Sequence, residues 1–359
     1  MAVASLLFQI FATTIIIFFT LISIAEATNL PNFSSILVFG DSTVDTGNNN
    51  YIQTFFQANH TPYGQDFPGR IPTGRFSNGK LIPDFIASLL NIKQTVPPFL
   101  DPTLSDDELR TGVCFASAGT GYDDLTAAEA RVISMPEQLE LFRNYMSRLK
   151  RIVGEDESNN IISGSLIIVS AGTNDFVYNY YDALTRRIQF DISAYQDYLL
   201  TILQNFIKEL YNLGGRSIVI VGLPPVGCLP LQITATFKNS MGRNCLEDQN
   251  SDSQAYNVKL TKLLSEIQAS APESLMVYAN VYDPLIDMIN HPQKFGLVET
   301  SRGCCGSGLV EAASFCNAAT PKCDMPTHFL FWDAIHPSQA AYKSLSASLQ
   351  KHLIPILSP

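Results

Sequence analysis

Short runs of aliphatic and β-branched residues alternate along the chain with longer segments whose apolar residues recur every three to four positions. Several of the short runs are apolar at every position, which is typical of strands buried on both faces. The alternation predicts a three-layer α/β/α fold around a parallel sheet of about five strands. The predicted strands are residues 36–40, 112–116, 165–170, 217–222 and 275–280.

Helical periodicity predicts four principal helices between these strands. Leu81, Phe85 and Leu89 repeat at four-residue spacing, and a long helix around residues 191–213 ends at Gly214-Gly215. Two more helices are expected at residues 252–269 and 338–353. We assign their inward positions to the core: Tyr195, Leu199, Phe206, Leu210, Tyr256, Leu260, Leu264, Ile267, Leu345, Leu349 and Leu353.

The N-terminus carries an apolar run from Leu6 to Ile24 that ends in Ala25-Glu26-Ala27, a small-x-small pattern of the kind that signal peptidase cleaves. We predict a signal peptide at residues 1–27 and a secreted, extracellular product. The run is long and no Lys or Arg precedes it, so a retained membrane anchor is the alternative. Sequons at Asn32 and Asn59 predict N-glycosylation.

The composition of the 359-residue chain is that of a globular protein. Hydrophobic residues make up 46% and charged residues 16%, enough for a large core, and no repeat or linker divides residues 28–359, so we expect one domain. The net charge of -10, without any Lys/Arg run, argues against binding to nucleic acid or anionic membranes. The five histidines form no HExxH or HxH, and no pair of CxxC motifs is present, so we expect no metal.

Seven cysteines fit an oxidising compartment, and six of them lie beyond residue 227. Three disulfides with Cys114 left over is the simplest arrangement; the alternative is that several are buried thiols. Cys228 and Cys245 flank one polar segment. The pairing among the other four remains open because two are adjacent: Cys304, Cys305, Cys316 and Cys323.

Phe39-Gly40-Asp41-Ser42 closes the first predicted strand with a hydroxyl. Carboxyl ends of strands line the ligand crevice of an open α/β sheet, which makes Ser42 a candidate nucleophile. Asp41 and Ser42 are equally compatible with a turn that caps the next element. The nucleophile interpretation therefore needs a partner base elsewhere in the chain.

Asp333 precedes His336 by three residues, a spacing that lets the carboxylate grip one imidazole nitrogen from the same turn. The other nitrogen then faces outward as a base, as in a Ser-His-Asp triad. A structural histidine is the alternative. Two more strand ends offer oxyanion donors, the Asn174 carboxamide and the glycine-rich loop that contains Gly121, although an Asx turn and a plain glycine turn explain them equally well.

Together these residues resemble the GDSL esterase/lipase family, also called SGNH hydrolases, and most closely its secreted plant branch, over about residues 35–352. The likeness extends through residues 45–49, 74–79, 222–228 and 304–306. It implies a flavodoxin-like fold, hydrolysis of small-molecule or lipid esters without a cofactor, Ser42, Asp333 and His336 as triad, and Ser42, Gly121 and Asn174 as oxyanion hole. We expect a monomer with no membrane span in the mature chain. The resemblance to the plant branch implies the cell wall or apoplast as the location if the source is a plant.

Two points qualify the resemblance. Cys114 stands where the family usually has Asn, which removes an amide that would brace the oxyanion loop. The same acyl-enzyme serves transfer to another hydroxyl, and a non-catalytic binding protein on this fold is a third possibility. Aromatic residues between positions 50 and 75 either line an acyl groove or simply pack: Tyr51, Phe55, Phe56, Tyr63 and Phe67.

Overall fold

Four parallel strands form the central sheet of the protein, for which a computed structural model describes residues 30–235 and 242–357. In spatial order they are β1 (Ser35–Gly40), β2 (Ser165–Ser170), β3 (Ser217–Val221) and β4 (Leu275–Ala279). Helices cover both faces, which confirms the predicted three-layer α/β class. All four carboxyl ends lie at the same edge of the sheet.

The fifth predicted strand, residues 112–116, lies along the free edge of β1 but does not form a regular ladder. The Val38 N–H donates to Val113 O at 3.1 Å and the Phe115 N–H donates to Val38 O at 2.7 Å. On its other side Cys114 pairs with the Pro97-Pro98 segment. The pairing on both sides amounts to isolated bridges, so the segment is not a regular strand and the sheet has four strands.

The α-helices of the described residues are numbered here in chain order. They are α1 (Ile82–Leu89), α2 (Asp106–Arg110), α3 (Asp124–Ala130), α4 (Met135–Val153), α5 (Glu155–Ser163), α6 (Ile192–Asn212), α7 (Pro230–Ala235), α8 (Glu247–Ser270), α9 (Tyr282–Asn290) and α10 (Gln339–Leu357). A π-helical segment, Asp175–Asp182, follows β2, and a small parallel pair, β5 (Glu299–Gly303) and β6 (Phe329–Phe331), precedes α10.

Alternation along the strands divides the core into two clusters. In β1, Leu37 and Phe39 face one cluster with α4, α5, α6 and α8, whereas Ile36 and Val38 face the other with α1, α9 and α10. Successive side chains of a strand point to opposite faces, so an uninterrupted apolar run is needed when both faces are covered. This arrangement explains why the strands are apolar at almost every position.

Three disulfides form, as expected, and Cys114 is the free, buried cysteine. They join Cys228 to Cys245, Cys304 to Cys323 and Cys305 to Cys316. The last two are nested within residues 304–323, which we call the disulfide segment.

The predicted signal peptide, residues 1–27, lies outside the described residues. Within residues 30–235 and 242–357, no helix has the length and hydropathy required to cross a membrane.

Candidate active site

Ser42 lies just beyond the carboxyl end of β1, where the backbone is tightly held against β2. The Asp41 N–H donates to Ser170 O at 2.9 Å. Gly40 has a φ of 135°, and a Cβ on it would lie 1.9 Å from the same carbonyl oxygen, so only glycine permits this approach. The sheet backbone therefore fixes where the Ser42 hydroxyl stands.

Asp333 and His336 lie in the irregular connection between β6 and α10. Asp333 Oδ1 accepts hydrogen bonds from the Ile335 and His336 N–H groups, at 2.8 and 2.7 Å. The same carboxylate lies 2.8 Å (Oδ2) and 2.9 Å (Oδ1) from His336 Nδ1. One carboxylate thus shapes the turn and orients the ring, as the three-residue spacing predicts.

A hydrogen bond of 2.8 Å joins Ser42 Oγ, after the first strand, to His336 Nε2, before the last helix. His336 is 4% exposed and Asp333 is fully buried. A hydroxyl, an imidazole and a carboxylate in this order can transfer the hydroxyl proton to nitrogen, while the carboxylate stabilises the resulting imidazolium. The structure therefore brings Ser42, His336 and Asp333 together.

Tyr63 is a further member of this cluster that the sequence pattern does not identify. Its hydroxyl donates to Asp333 Oδ2 at 2.7 Å and accepts from the Ala313 N–H at 2.9 Å. Burial and the adjacent Asp333 carboxylate raise the pKa of Tyr63 well above its ordinary value, so the phenol remains a donor. The Phe76 ring, 4.8 Å from the imidazole centroid, covers His336.

Of the predicted oxyanion donors, Asn174 lines the same cavity as Ser42, whereas Gly121 does not. Asn174, after β2, donates from Nδ2 to Thr120 O at 2.7 Å. Ser42, Asn174, His336 and Gly119 line one cavity, which does not include Gly121. The Cα of Gly121 instead faces Asp175, and a Cβ there would lie 2.0 Å from Asp175 Oδ1.

Gly119 is thus a candidate donor that the sequence interpretation passed over, although it lies in the same glycine-rich loop. Within the described residues, the N–H groups of Ser42 and Gly119 donate to no protein acceptor. Gly119 has a φ of 91°, a conformation that favours glycine. Its place in the loop was available from the sequence, but the direction of its N–H was not.

The loop that carries Gly119 is braced by side chains from the segment after Ser42. Asp45 Oδ2 accepts from the Ala118 N–H at 3.0 Å, and Asn49 Nδ2 donates to Ala118 O at 2.9 Å. Asn48 Nδ2 donates to the carbonyls of Cys114 and Ala116, at 2.9 and 2.8 Å. These bonds explain the residue 45–49 motif.

Cys114 itself is a neutral, buried thiol. Burial, reinforced by the Asp45 carboxylate, raises the pKa of Cys114 to about 12. Its Sγ donates to Val44 O at 3.2 Å. The side chain that replaces the usual Asn therefore still ties the loop to the nucleophile segment, and the amide contacts of the loop come from Asn48 and Asn49.

The aromatic residues between positions 50 and 75 have different roles. Phe56 lines the cavity beside His336, together with Phe76, Tyr178, Ala312 and Ala313. Tyr63 is buried and bonds Asp333, Phe67 stacks on Arg75 at 4.8 Å, and Phe55 is 81% exposed. Of the five aromatics, Phe56 is the one that faces this cavity.

A four-stranded parallel sheet with a serine at the end of its first strand, and a histidine–aspartate pair reaching it from the last connection, has the arrangement of a three-layer serine hydrolase. A family model described as GDSL-like Lipase/Acylhydrolase matches residues 36–349. The chain belongs to this family, and by class it is a carboxylic-ester hydrolase.

Known proteins similar to this chain come from Arabidopsis thaliana. GDSL esterase/lipase At1g06990 is 53% identical over 330 residues, 92% of each chain. GDSL esterase/lipase At2g40250 is 45% identical over 346 residues, 95% of this chain and 96% of its own. Among solved structures, an extracellular lipase from Streptomyces rimosus matches 88% of this chain and 99% of its own at 13% identity, with a TM-score of 0.38.

Proposed function

We propose that this protein is a secreted serine esterase that hydrolyses carboxylic esters through an acyl-enzyme on Ser42. The observation that carries the proposal is the 2.8 Å contact between Ser42 Oγ and His336 Nε2, with Asp333 on the opposite ring nitrogen. That order of groups is what proton removal from a serine hydroxyl requires. Family membership supports the ester bond as the target.

His336 takes the Ser42 proton as Oγ attacks the ester carbonyl, and Asp333 stabilises the imidazolium. The protonated ring then donates to the departing alcohol oxygen, which leaves the acyl group on Ser42. Water, activated by the same imidazole, attacks the acyl-enzyme and releases the acid. The hydroxyl and the neutral imidazole are restored at the end of the cycle, and no cofactor enters it.

The developing oxyanion requires donors that do not move during the reaction. We propose the N–H groups of Ser42 and Gly119 with the Asn174 carboxamide. Gly119 is preferred to Gly121 because it lines the cavity with Ser42 and His336, whereas Gly121 lies against Asp175. The brace from Asp45, Asn48 and Asn49 holds this loop in place before substrate arrives.

Secretion is part of the same proposal. The signal peptide at residues 1–27 leads into one hydrolase domain, residues 28–359, which acts as a monomer. The three disulfides fit an oxidising compartment. Asn32 and Asn59 are both exposed, as glycosylation of their sequons requires.

Hydrolysis of p-nitrophenyl butyrate by wild type and Ser42→Ala tests the mechanism. We expect kcat to fall by at least about 10³-fold, because the nucleophile and its acyl intermediate are lost. Ser346→Ala is the matched control, since Ser346 is also buried but donates only to Tyr342 O in α10, so it retains wild-type turnover. Undiminished turnover by a folded Ser42→Ala protein ends the proposal.

A fluorophosphonate probe gives a second readout. It should label wild type and Ser346→Ala, and it should leave Ser42→Ala unlabelled. Labelling at another serine contradicts the assignment of the nucleophile.

A further inference from the structure

Tyr178 brings a phenol to the cavity that Ser42 and His336 also line. It belongs to the π-helical segment Asp175–Asp182 and follows Asn174, another residue of the cavity wall, by four positions. The Ala183 N–H donates to Tyr178 O at 2.8 Å, which is the five-residue spacing of a π-helix. Such segments are rare and occur frequently at functional sites. The connection after β2 therefore supplies two polar side chains to one cavity.

Apolar contacts hold the Tyr178 ring in place. The Phe56 ring meets it edge to face, with the centroids 6.2 Å apart. The Tyr178 ring also packs against the core cluster on the side of the sheet that α1, α9 and α10 cover. We call the space that Phe56, Phe76 and Tyr178 line beside Ser42 and His336 the aromatic cavity.

The Tyr178 hydroxyl has no partner among the described residues, in contrast to neighbouring tyrosines. Tyr181, in the same π-helical segment, donates to Asp252 Oδ2 at 2.6 Å, and Tyr63 donates to Asp333. The Tyr178 side chain is half-buried, and its hydroxyl is not one of the enclosed polar atoms that lack a partner. This hydroxyl therefore faces space that a water molecule can enter.

Three carboxylates lie close enough to the Tyr178 phenol to affect its titration. Burial, followed by the charges of Asp182, Asp333 and Asp41, raises the pKa of Tyr178 above its ordinary value. Asp41 directly precedes the proposed nucleophile and Asp333 orients the proposed base, so the phenol is within electrostatic reach of both. It stays protonated, and remains a hydrogen-bond donor, wherever the base is neutral.

The aromatic cavity is small, and most of its polar groups have a task in the proposed mechanism. It offers about 20 Å³ to the centres of water-sized groups, which is room for one or two waters at roughly 10–15 Å³ each. Its polar side chains are Ser42, Asn174, His336 and Tyr178. During deacylation Ser42 carries the acyl group, and Asn174 serves the oxyanion. His336 and Tyr178 remain for the attacking water, which needs at least two polar partners.

We propose that Tyr178 positions the water that hydrolyses the acyl-enzyme: its hydroxyl donates a hydrogen bond to the water oxygen while the water donates to His336 Nε2. The proposal rests on the serine esterase function above. A second lone pair of the water oxygen forms the bond to the acyl carbon, and the water proton passes to Nε2. The bond from the acyl carbon to Ser42 Oγ then breaks, and Oγ takes that proton. The phenol keeps its own proton throughout.

Stopped-flow hydrolysis of p-nitrophenyl butyrate separates the two half-reactions. p-Nitrophenolate leaves readily without a hydrogen bond from the cavity, so its first release measures acylation. In Tyr178→Phe, which keeps the ring, the acylation rate constant and kcat/KM should stay within about twofold of wild type. The deacylation rate constant should fall about three- to tenfold, the loss that corresponds to one neutral hydrogen bond.

The fraction of protein present as acyl-Ser42 gives a second readout, measured by mass spectrometry of reactions quenched at steady state. This fraction should rise in Tyr178→Phe, because slower deacylation accumulates the intermediate, and KM should fall together with kcat. Since no protein group bonds the hydroxyl, Tm should not change.

Tyr181→Phe is the matched control, because Tyr181 lies in the same segment, does not line the aromatic cavity and bonds Asp252. It should lose stability and keep both rate constants.

An unchanged deacylation rate constant in Tyr178→Phe overturns the proposal. A fall in kcat/KM as large as the fall in deacylation, without more acyl-Ser42, also overturns it, because the phenol then supports the whole site by packing. Equal slowing of deacylation in Tyr181→Phe has the same meaning. Hydrolysis by wild type without any acyl-Ser42 overturns the serine esterase mechanism itself, which distinguishes that failure from the failure of the water site alone.

Discussion

The proposed nucleophile, Ser42, and the proposed base, His336, are held in place by different means. Backbone contacts position Ser42. Gly40 and Asp41 pack against the backbone of Ser170, and the sheet below them is buried on both faces. His336 stands in an irregular connection, where the Trp332 N–H donates to His336 O at 2.7 Å and Tyr63 bonds Asp333. The base therefore depends on side chains and cross-links that substitution can remove one at a time.

The disulfide segment supplies many of these supports. The Cys304 and Cys305 N–H groups donate to Phe331 O and Trp332 O, at 3.1 and 2.8 Å. Within the segment, the Ala313 N–H reaches Tyr63, and Glu311 O accepts from the Ala334 N–H at 2.9 Å. Loosening this segment should disturb His336 while leaving Ser42 in place.

Among the supports of His336, the largest effect is expected from Cys305→Ser with Cys316→Ser. The cysteines are 11 residues apart, so the unfolding free energy should fall by about 3 kcal/mol. Because Ala313 lies within this loop, kcat for p-nitrophenyl butyrate should also fall at least tenfold. Chemical denaturation and steady-state kinetics measure the two effects.

Cys228→Ser with Cys245→Ser is the control, since its 17-residue separation predicts a similar loss of about 3 kcal/mol in unfolding free energy. Its kcat should remain within about twofold of wild type at temperatures where it is folded. Equal losses of kcat in both pairs mean that the disulfide segment has no special connection to the base.

Tyr63→Phe tests the side-chain support alone and should have an intermediate effect. Loss of a hydrogen bond to a charged group costs about 1.5–3 kcal/mol. We expect kcat to fall about tenfold with little change in KM. Steady-state kinetics with p-nitrophenyl butyrate measure both parameters.

Tyr145→Phe is the matched control for that variant. Its hydroxyl is also buried and donates to Leu109 O at 2.7 Å, far along the chain from both halves of the site. It should lose stability without any change in kcat. Undiminished kcat in a folded Tyr63→Phe protein means that the phenol only packs and does not position Asp333.

Much of this fold could be predicted because a parallel strand that is buried on both faces appears in the sequence as a continuous apolar run. Helix α8 begins at Glu247, five residues before the predicted start, since Gln249, Asn250 and Ser253 are buried polar residues that hide the periodicity. Helix α4 was missed although its signals were present: Ser134 and Glu137 form a capping box before an apolar face.

The grouping of Ser42 with Asp333 and His336 was predictable because both of its parts are local motifs, one at a strand end and one with a three-residue spacing. The contact of Tyr63 with Asp333 was not, because it joins residues 270 positions apart and its aromatic side chain suits packing equally well. The choice between Gly119 and Gly121 depends on the path of a loop. Hydrogen bonds from Asp45 and Asn49 set that path, and glycine content alone does not reveal it.

The smallest effect is expected from a change at Asp175, on the Ser42 side of the site. Its carboxylate accepts hydrogen bonds from the Tyr122 N–H and from Thr126 Oγ1, and so anchors residues 122–126. Burial raises the pKa of Asp175 to about 7. The folded protein therefore keeps a proton that the unfolded chain releases near pH 4, and the unfolding free energy declines as pH rises from about 4 to about 7.

Asp175→Asn removes this titration, so Tm measured between pH 4 and pH 8 should fall less steeply than in wild type. Some decline remains, because burial also raises the pKa of Asp41 and Asp45 to about 6. Asp156→Asn, at an exposed position of α5, should leave the slope unchanged. A wild-type slope in Asp175→Asn means that the carboxylate titrates outside this range.

The hydrogen bond between Ser42 and His336 spans 294 positions of the chain. During translation the hydroxyl emerges early, and its imidazole partner follows only after nearly all of the sheet has been synthesised. Under the proposed mechanism, a polypeptide that ends ahead of the last connection carries the Ser42 hydroxyl without its proton acceptor. Catalysis would therefore require a chain that is complete through this connection.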